Sequence, residues 1–214
     1  YAAARDILLP LSETDYAKAG FYDDILARTM LMLGNYAEAK SWVLKANPRL
    51  RGDTRRPLDR FNASDAALLG YLELKLGNAS VAAELLDGAL AAIDGTPRVG
   101  FSGYGLLDVR IHAVRGRRNE ALDAFESAVD EGIVSNVFFD FFDVDQDPLL
   151  ASLRGDERFE AAREQMRSNL AQMAERVDAA IESGDWESLR ERTRAVTGLV
   201  ARRWSGNRPE PRLE

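Results

Sequence analysis

The chain has 214 residues, 46% of them hydrophobic, and a formal net charge of −7. This composition fits a folded chain and excludes a disordered one, and the acidic balance argues against a general nucleic-acid surface, which needs a basic face. The absence of cysteine rules out disulfides, thiolate metal sites and a cysteine nucleophile, and no apolar run approaches the roughly 20 residues of a membrane span.

Ala, Leu, Glu and Arg dominate, and alternating β-branched runs are nearly absent, so the elements read as helices. In chain order they are predicted at 2–9, 14–33, 36–46, 63–76, 79–93, 103–115, 118–131, 157–183 and 186–204, with a short helical turn starting at Pro148. Gly34, Gly77, Gly116 and Gly184 fall where a helix C-terminus wants a left-handed residue. Asn35 and Asp185 follow where an N-cap is wanted, and Asn35 to Glu38 has the spacing of a capping box. Residues 49–60 carry five arginines against two aspartates, which reads either as a solvated loop or as a contact for an acidic partner. Gly100–Gly105 is rich in glycine, but no strand precedes it and no phosphate-binding lysine follows, so it reads as a connection. The first residue is Tyr1 rather than Met, and the chain is expected to be a piece of a longer or processed protein.

One motif recurs along the chain. It reads Leu33-Gly34-Asn35-Tyr36-Ala37-Glu38-Ala39, then Leu76-Gly77-Asn78-Ala79-Ser80-Val81-Ala82, then Arg115-Gly116-Arg117-Arg118-Asn119-Glu120-Ala121, with a fainter copy at Ser183–Leu189. The helix after each turn repeats a small–large–small face: Ala39, Val43 and Ala46; Ala82, Leu86 and Ala89; Ala121, Phe125 and Ala128. Small residues let neighbouring helices approach, and the large one fills the gap between them. This pattern resembles the tetratricopeptide repeat, a helix–turn–helix unit of about 34 residues. Gly34, Tyr36, Ala39 and Ala46 match one copy; Gly70, Gly77, Ala82 and Ala89 a second, with Leu69-Gly70 on its first helix; Gly116, Ala121, Phe125 and Ala128 a third. Arg118 and Ala79 stand where the family has its turn aromatic. The turn glycines are 43, 39 and 68 residues apart, so the first two junctions carry insertions and the last interval equals two repeats. The resemblance implies an all-α, right-handed solenoid of antiparallel helix hairpins.

Residues 147–159 add a second resemblance, through Asp147, Pro148, Leu153, Arg154, Asp156, Arg158 and Phe159. The run looks like the segment closing tetratricopeptide regions of bacterial regulatory and signalling proteins, such as winged-helix regulators, nucleotide cyclases and kinases. Asp147 can cap a turn that Pro148 begins, and Leu149, Leu153 and Phe159 can seal the end of the array. The expected plan is helical repeats over 1–156, a capping hairpin over 157–204, and a disordered tail over 205–214. In that hairpin Met166, Leu170, Met173, Val177, Ala180 and Ile181 form one apolar stripe, and Trp186, Leu189, Val196 and Val200 the facing one. It reads as a cap for the array or as a dimerising hairpin.

Chemistry-bearing constellations are sparse. His112 is the lone histidine and builds no catalytic arrangement by itself. Asp143, Asp145 and Asp147 imitate the start of a calcium loop, but Pro148 replaces the glycine and Arg154 the bidentate glutamate. The cluster Val137–Phe142 reads as an aromatic plug between the third hairpin and the C-terminal helices, or as a docking site through Phe138 and Phe142. No catalytic residue, metal or cofactor is assigned. The expected function is a protein–protein interaction or sensor module, binding a protein or peptide in the concave groove lined by the first helices. Its candidate contacts are Asp23, Arg28, Glu73, Tyr104, Asp108 and His112. The alternative is a hydrolase using groove carboxylates. The compartment stays open between cytoplasm and periplasm.

Overall fold

The computed structural model describes residues 1–12, 21–52, 58–99, 103–133 and 143–184. Among these the chain is all-helical, without a strand. The helices are α1 (Ala2–Leu11), α2 (Phe21–Met32), α3 (Tyr36–Ala46), α4 (Ala63–Lys75), α5 (Ala79–Ala92), α6 (Leu107–Val114), α7 (Arg118–Asp130) and α8 (Glu157–Glu182). Short 3-10 turns stand at Pro48–Leu50 and Pro148–Leu150. By its contacts the chain divides into two units, Tyr1–Arg167 and Ser168–Glu214, with the boundary inside α8.

Three turns of one construction join α2 to α3, α4 to α5 and α6 to α7. Gly34, Gly77 and Gly116 have φ of 76°, 86° and 70°, the left-handed region that suits a residue without Cβ. After each glycine the next amide reaches back to the helix: Asn35 N to Met30 O at 2.9 Å, Asn78 N to Glu73 O at 2.8 Å, and Arg117 N to His112 O at 2.9 Å. The glycine amide itself bonds to Leu31, Leu74 and Ala113 O at 2.9 to 3.1 Å. This double closure satisfies the last carbonyls of each first helix and sends the chain straight into the second. The expected capping box does not form. Asn35, Asn78 and Arg117 hold the N-cap positions, but none makes a side-chain cap bond. Asn78 instead spends its amide on the Glu73 carboxylate, 2.7 Å away.

The small–large–small faces are buried except at Ala46, which is half-buried. Ala39, Val43, Ala82, Leu86, Ala89, Ala121, Phe125 and Ala128 are all at most 2% exposed. Gly70 shows why the first helix of the second pair carries a glycine. A Cβ there would lie 2.9 Å from Leu86 Cγ and 3.3 Å from Ala82 O, so α4 and α5 meet at a distance that excludes even alanine without a shift. Two cores result. The first joins α2, α3, α4 and α5 to Leu107, Ile111 and Leu149. The second holds Leu106, Val109 and Ala113 of the α6 segment against α7, Val144, Leu150, Leu153, Phe159, Ala162 and Met166. Helix α6 thus buries two faces, as a central layer does. The turn Pro148–Leu150 likewise splits, with Leu149 in the first core and Leu150 in the second.

Asp147 caps that turn as expected. Its carboxylate accepts from Leu149 N at 2.9 Å and, fully buried, from Arg110 Nε at 2.6 Å. Phe159 packs its ring on Phe125, centroids 5.1 Å apart. Leu149 departs from the expected seal of the array end, because it fills the first core. The helix predicted from 103 begins only at Leu107. Gly105 has φ of 61°, and its carbonyl accepts from Arg98 Nη1 at 3.0 Å, which holds the preceding segment in a turn. Gly103 sits against the Arg98 backbone so closely that a Cβ would fall 2.2 Å from Arg98 O.

In the second unit, Leu170, Met173, Val177 and Ile181 are 46 to 59% exposed along α8. The facing stripe read from Trp186 onward lies outside the described residues, as do Phe138 and Phe142 and the tail. Among the described residues no helix is long and apolar enough to cross a membrane.

Candidate functional site

Helix α5 ends in Ile93-Asp94-Gly95-Thr96, and Gly95 turns the chain at φ of 69°. The connection then runs through Arg98 to Tyr104 and into α6. Between α5, this connection and α6 lies an open cleft of about 470 Å³, lined by Asp87, Leu90, Ala91, Ile93, Asp94, Gly95, Thr96, Tyr104, Asp108 and His112. Asp108 and His112 stand four residues apart on α6, so one helical face supplies both. Three of the six groove residues read from the sequence, Tyr104, Asp108 and His112, therefore meet in one concavity.

Arg98 holds two of the lining residues, Asp108 and Tyr104. Buried, it grips Asp108 with two bonds, Nη1 to Oδ1 at 2.8 Å and Nη2 to Oδ2 at 2.7 Å, and reaches Glu131 with Nε at 3.2 Å. The Tyr104 ring lies against the guanidinium, 4.9 Å from centroid to Cζ. Burial opposes the charge on Arg98, but the hydrogen bonds and charge of Asp108 outweigh it and raise its pKa. Burial, then the Asp108 charge, raises that of the Tyr104 phenol, keeping it a neutral hydroxyl. Asp87 of the cleft pairs with Arg115, which also donates to Ala83 O at 3.3 Å. Asp94 makes no side-chain hydrogen bond or ion pair among the described residues, and the buried Nδ1 of His112 has no partner there either.

The other candidates stand elsewhere in the first unit. Asp23, buried on α2, pairs with Lys45 of α3 at 3.0 Å. Glu73, buried on α4, takes Lys40 of α3 at 2.8 Å as well as Asn78. Both carboxylates tie helices together. Arg28 pairs with Asp24 at 3.3 Å and lines a narrow crevice with Ser64, Ala67, Leu68, Leu107, Arg110, Asp147 and Leu149. Two of the three aspartates of the calcium-like run are spent on arginines, Asp145 on Arg163 at 2.9 Å and on Arg167, and Asp147 on Arg110, while Asp143 Oδ1 accepts from Asp145 N at 3.3 Å.

Asp65 opens α4 near Arg28. Burial, then the charge of Asp24, raises its carboxyl pKa, against the opposing pull of the Asn47 bond and of Arg28. A carboxyl with a raised folded pKa stabilises the fold below its unfolded pKa and loses that contribution as pH rises through the folded value. Asp65→Asn is therefore expected to raise the melting temperature at pH 7 relative to the parent. The gain should shrink toward pH 4, where the parent carboxyl takes up its proton. Thermal melts at both values check this, and a lower melting temperature at pH 7 would contradict it.

The sequence reading missed Asp87, Asp94 and Thr96. The signal for two of them was the Asp94-Gly95-Thr96 run, a turn that closes α5 and leaves a carboxylate at the helix end. Taken together, the described residues define an all-helical protein whose successive helix pairs leave an acidic cleft at the α5–α6 junction. Compared with protein-family models, curated proteins and solved structures, the chain matches none.

Proposed function

We propose that this chain is a non-catalytic, tetratricopeptide-like module of a larger regulatory or signalling protein, and that it binds a protein or peptide partner along the face bearing the α5–α6 cleft. Under this reading the helix pairs stack as a right-handed solenoid, and α2, α4 and α6 are its groove-lining helices. The observation that carries the proposal is the convergence of Tyr104, Asp108 and His112 in one cleft beside Asp94, with polar groups left unengaged. The three identical glycine turns and the buried alanines of α3, α5 and α7 support the repeat architecture.

The test is capture followed by mapping. The full chain, immobilised, should retain a protein from a lysate of its own cells. That protein, purified, should bind with a Kd of about 10 μM or tighter. Hydrogen exchange of the complex should then slow at residues 90–98 and 104–115. Protection confined to α7 and α8 would move the binding face, and the absence of any partner that rebinds after purification would overturn the module reading. Alanine at Glu73 or Asp108 is a poor probe here, because each carboxylate holds the fold through Lys40 or Arg98.

A further inference from the structure

We infer that Asp94-Gly95 is a modification site, at which the Gly95 amide nitrogen attacks the Asp94 side chain and the aspartate passes through a cyclic imide to isoaspartate. The inference is independent of the interaction-module reading. It rests on one dipeptide held in two different backbones.

Asp-Gly occurs twice in the sequence, at Asp87-Gly88 and at Asp94-Gly95. The pair suits this chemistry because glycine has no side chain to crowd the attacking nitrogen. That nitrogen adds to Cγ of the preceding aspartic acid and closes a five-membered ring. The carboxyl hydroxyl and the amide proton leave together as water. A water molecule then opens the imide. Cleavage between the nitrogen and Cγ returns aspartate. Cleavage between the nitrogen and the main-chain carbonyl carbon leaves the chain running through Cβ and Cγ, with a free α-carboxyl group. One water is lost and one is regained, and nothing is oxidised or reduced.

Asp87-Gly88 is restrained. It lies inside α5, where ψ is about −42° and turns the next nitrogen out of the plane that the ring needs. The Gly88 amide belongs to the helix ladder. Its Cα is packed as well, since a Cβ there would lie 2.9 Å from Leu58 Cδ1. Ring closure at Asp87 has to wait for α5 to open.

Asp94-Gly95 has none of these restraints. Both residues are exposed. They are the two central residues of a turn closed by Thr96 N on Ile93 O at 3.0 Å, with Thr96 Oγ1 on the same carbonyl at 2.6 Å. The Gly95 amide has no hydrogen-bond partner among the described residues, and neither has the Asp94 carboxylate. A Cβ built on Gly95 meets nothing within 4 Å. The central peptide plane of a turn rotates through a coupled change of ψ at its second residue and φ at its third, while the closing bond stays made. Gly95, at φ of 69°, tolerates either orientation. Asp94 therefore reaches the ring-forming ψ without unfolding α5. The product carries one extra methylene in the main chain after α5 and moves a carboxylate that lines the cleft.

The experiment keeps the full chain folded at 37 °C and pH 7 for several weeks. The tryptic peptide Leu76–Arg98 contains both sites, so each is the other's control. Electron-transfer fragmentation tells isoaspartate from aspartate at each site, with a sample digested at time zero as the blank. Isoaspartate should accumulate at Asp94 and form at least about tenfold more slowly at Asp87, which depends on local opening of the helix. A synthetic peptide of residues 76–98 should convert at both sites at similar rates, because the helix that protects Asp87 is gone. An isoaspartyl carboxyl methyltransferase with a labelled methyl donor should label the aged chain. The Asp94→Glu variant, whose ring would need six members, should lose that label with its circular dichroism melt unchanged. Equal conversion of Asp87 and Asp94 in the folded chain, an unchanged Asp94 under conditions that convert the peptide, or full labelling of aged Asp94→Glu would overturn the inference.

Discussion

Asp147→Ala is expected to destabilise the chain by about 3–5 kcal/mol, the cost of removing one member of a buried ion pair. Asp147 is fully buried, and Arg110 opposite it is 7% exposed. The carboxylate also accepts from Leu149 N, and its own carbonyl accepts from Arg154 Nη2 at 2.9 Å. One side chain thus fixes α6 to the turn that sends Leu149 into one core and Leu150 into the other. Alanine leaves a buried guanidinium without its carboxylate and a turn amide without its cap. Asp147→Asn keeps the cap but loses the charge, so its loss should be smaller. The double variant Arg110→Leu/Asp147→Leu should recover part of the single-variant loss, because apolar replacement of both partners removes the uncompensated charge. Urea denaturation of the four chains measures the series. An unchanged midpoint for Asp147→Ala would show that the pair does not hold these elements.

How much of this was legible in the sequence depends on the kind of interaction. Helix limits were legible where local chemistry decides them: Tyr36–Ala46 and the start of α8 at Glu157 fall where glycine turns and apolar periodicity placed them. The buried alanines of α3, α5 and α7 were legible because close helix packing demands small residues at fixed spacing. The start of α6 was not. It is set by Arg98, which lies in a connection and bonds Gly105 O from seven residues away. Charged residues on the first helices were misleading in the same way. Asp23, Glu73 and Asp108 look solvated in a helical pattern, yet Lys45, Lys40 and Arg98 reach them from other elements. Periodicity shows which face a residue shares; it does not show which distant side chain arrives there. His112 lines the cleft, and its buried Nδ1 has no partner among the described residues.

The second core makes the last prediction. It is built from two stretches of the sequence: Leu106, Val109, Ala113 and the α7 residues come before Gly132, while Val144, Leu150, Leu153, Phe159 and Met166 come after it. Phe125 and Phe159, both fully buried, touch ring to ring at its centre. Phe159→Ala alone should cost about 3–5 kcal/mol. Ending the chain after Gly132 removes the whole facing layer together with Asp147, so Phe125, Val129 and Val109 would lie in water and Arg110 would lose its carboxylate. Such a chain should aggregate or associate rather than remain a monomer, because a contiguous apolar face of that kind drives association. Ending the chain after Arg167 instead retains every residue of the second core, and its melting temperature should stay close to that of the full chain. Light scattering after size exclusion, with thermal melts, separates the two cases. A soluble 1–132 monomer melting with the full chain would mean that the segment from Val144 to Met166 is not what completes the fold.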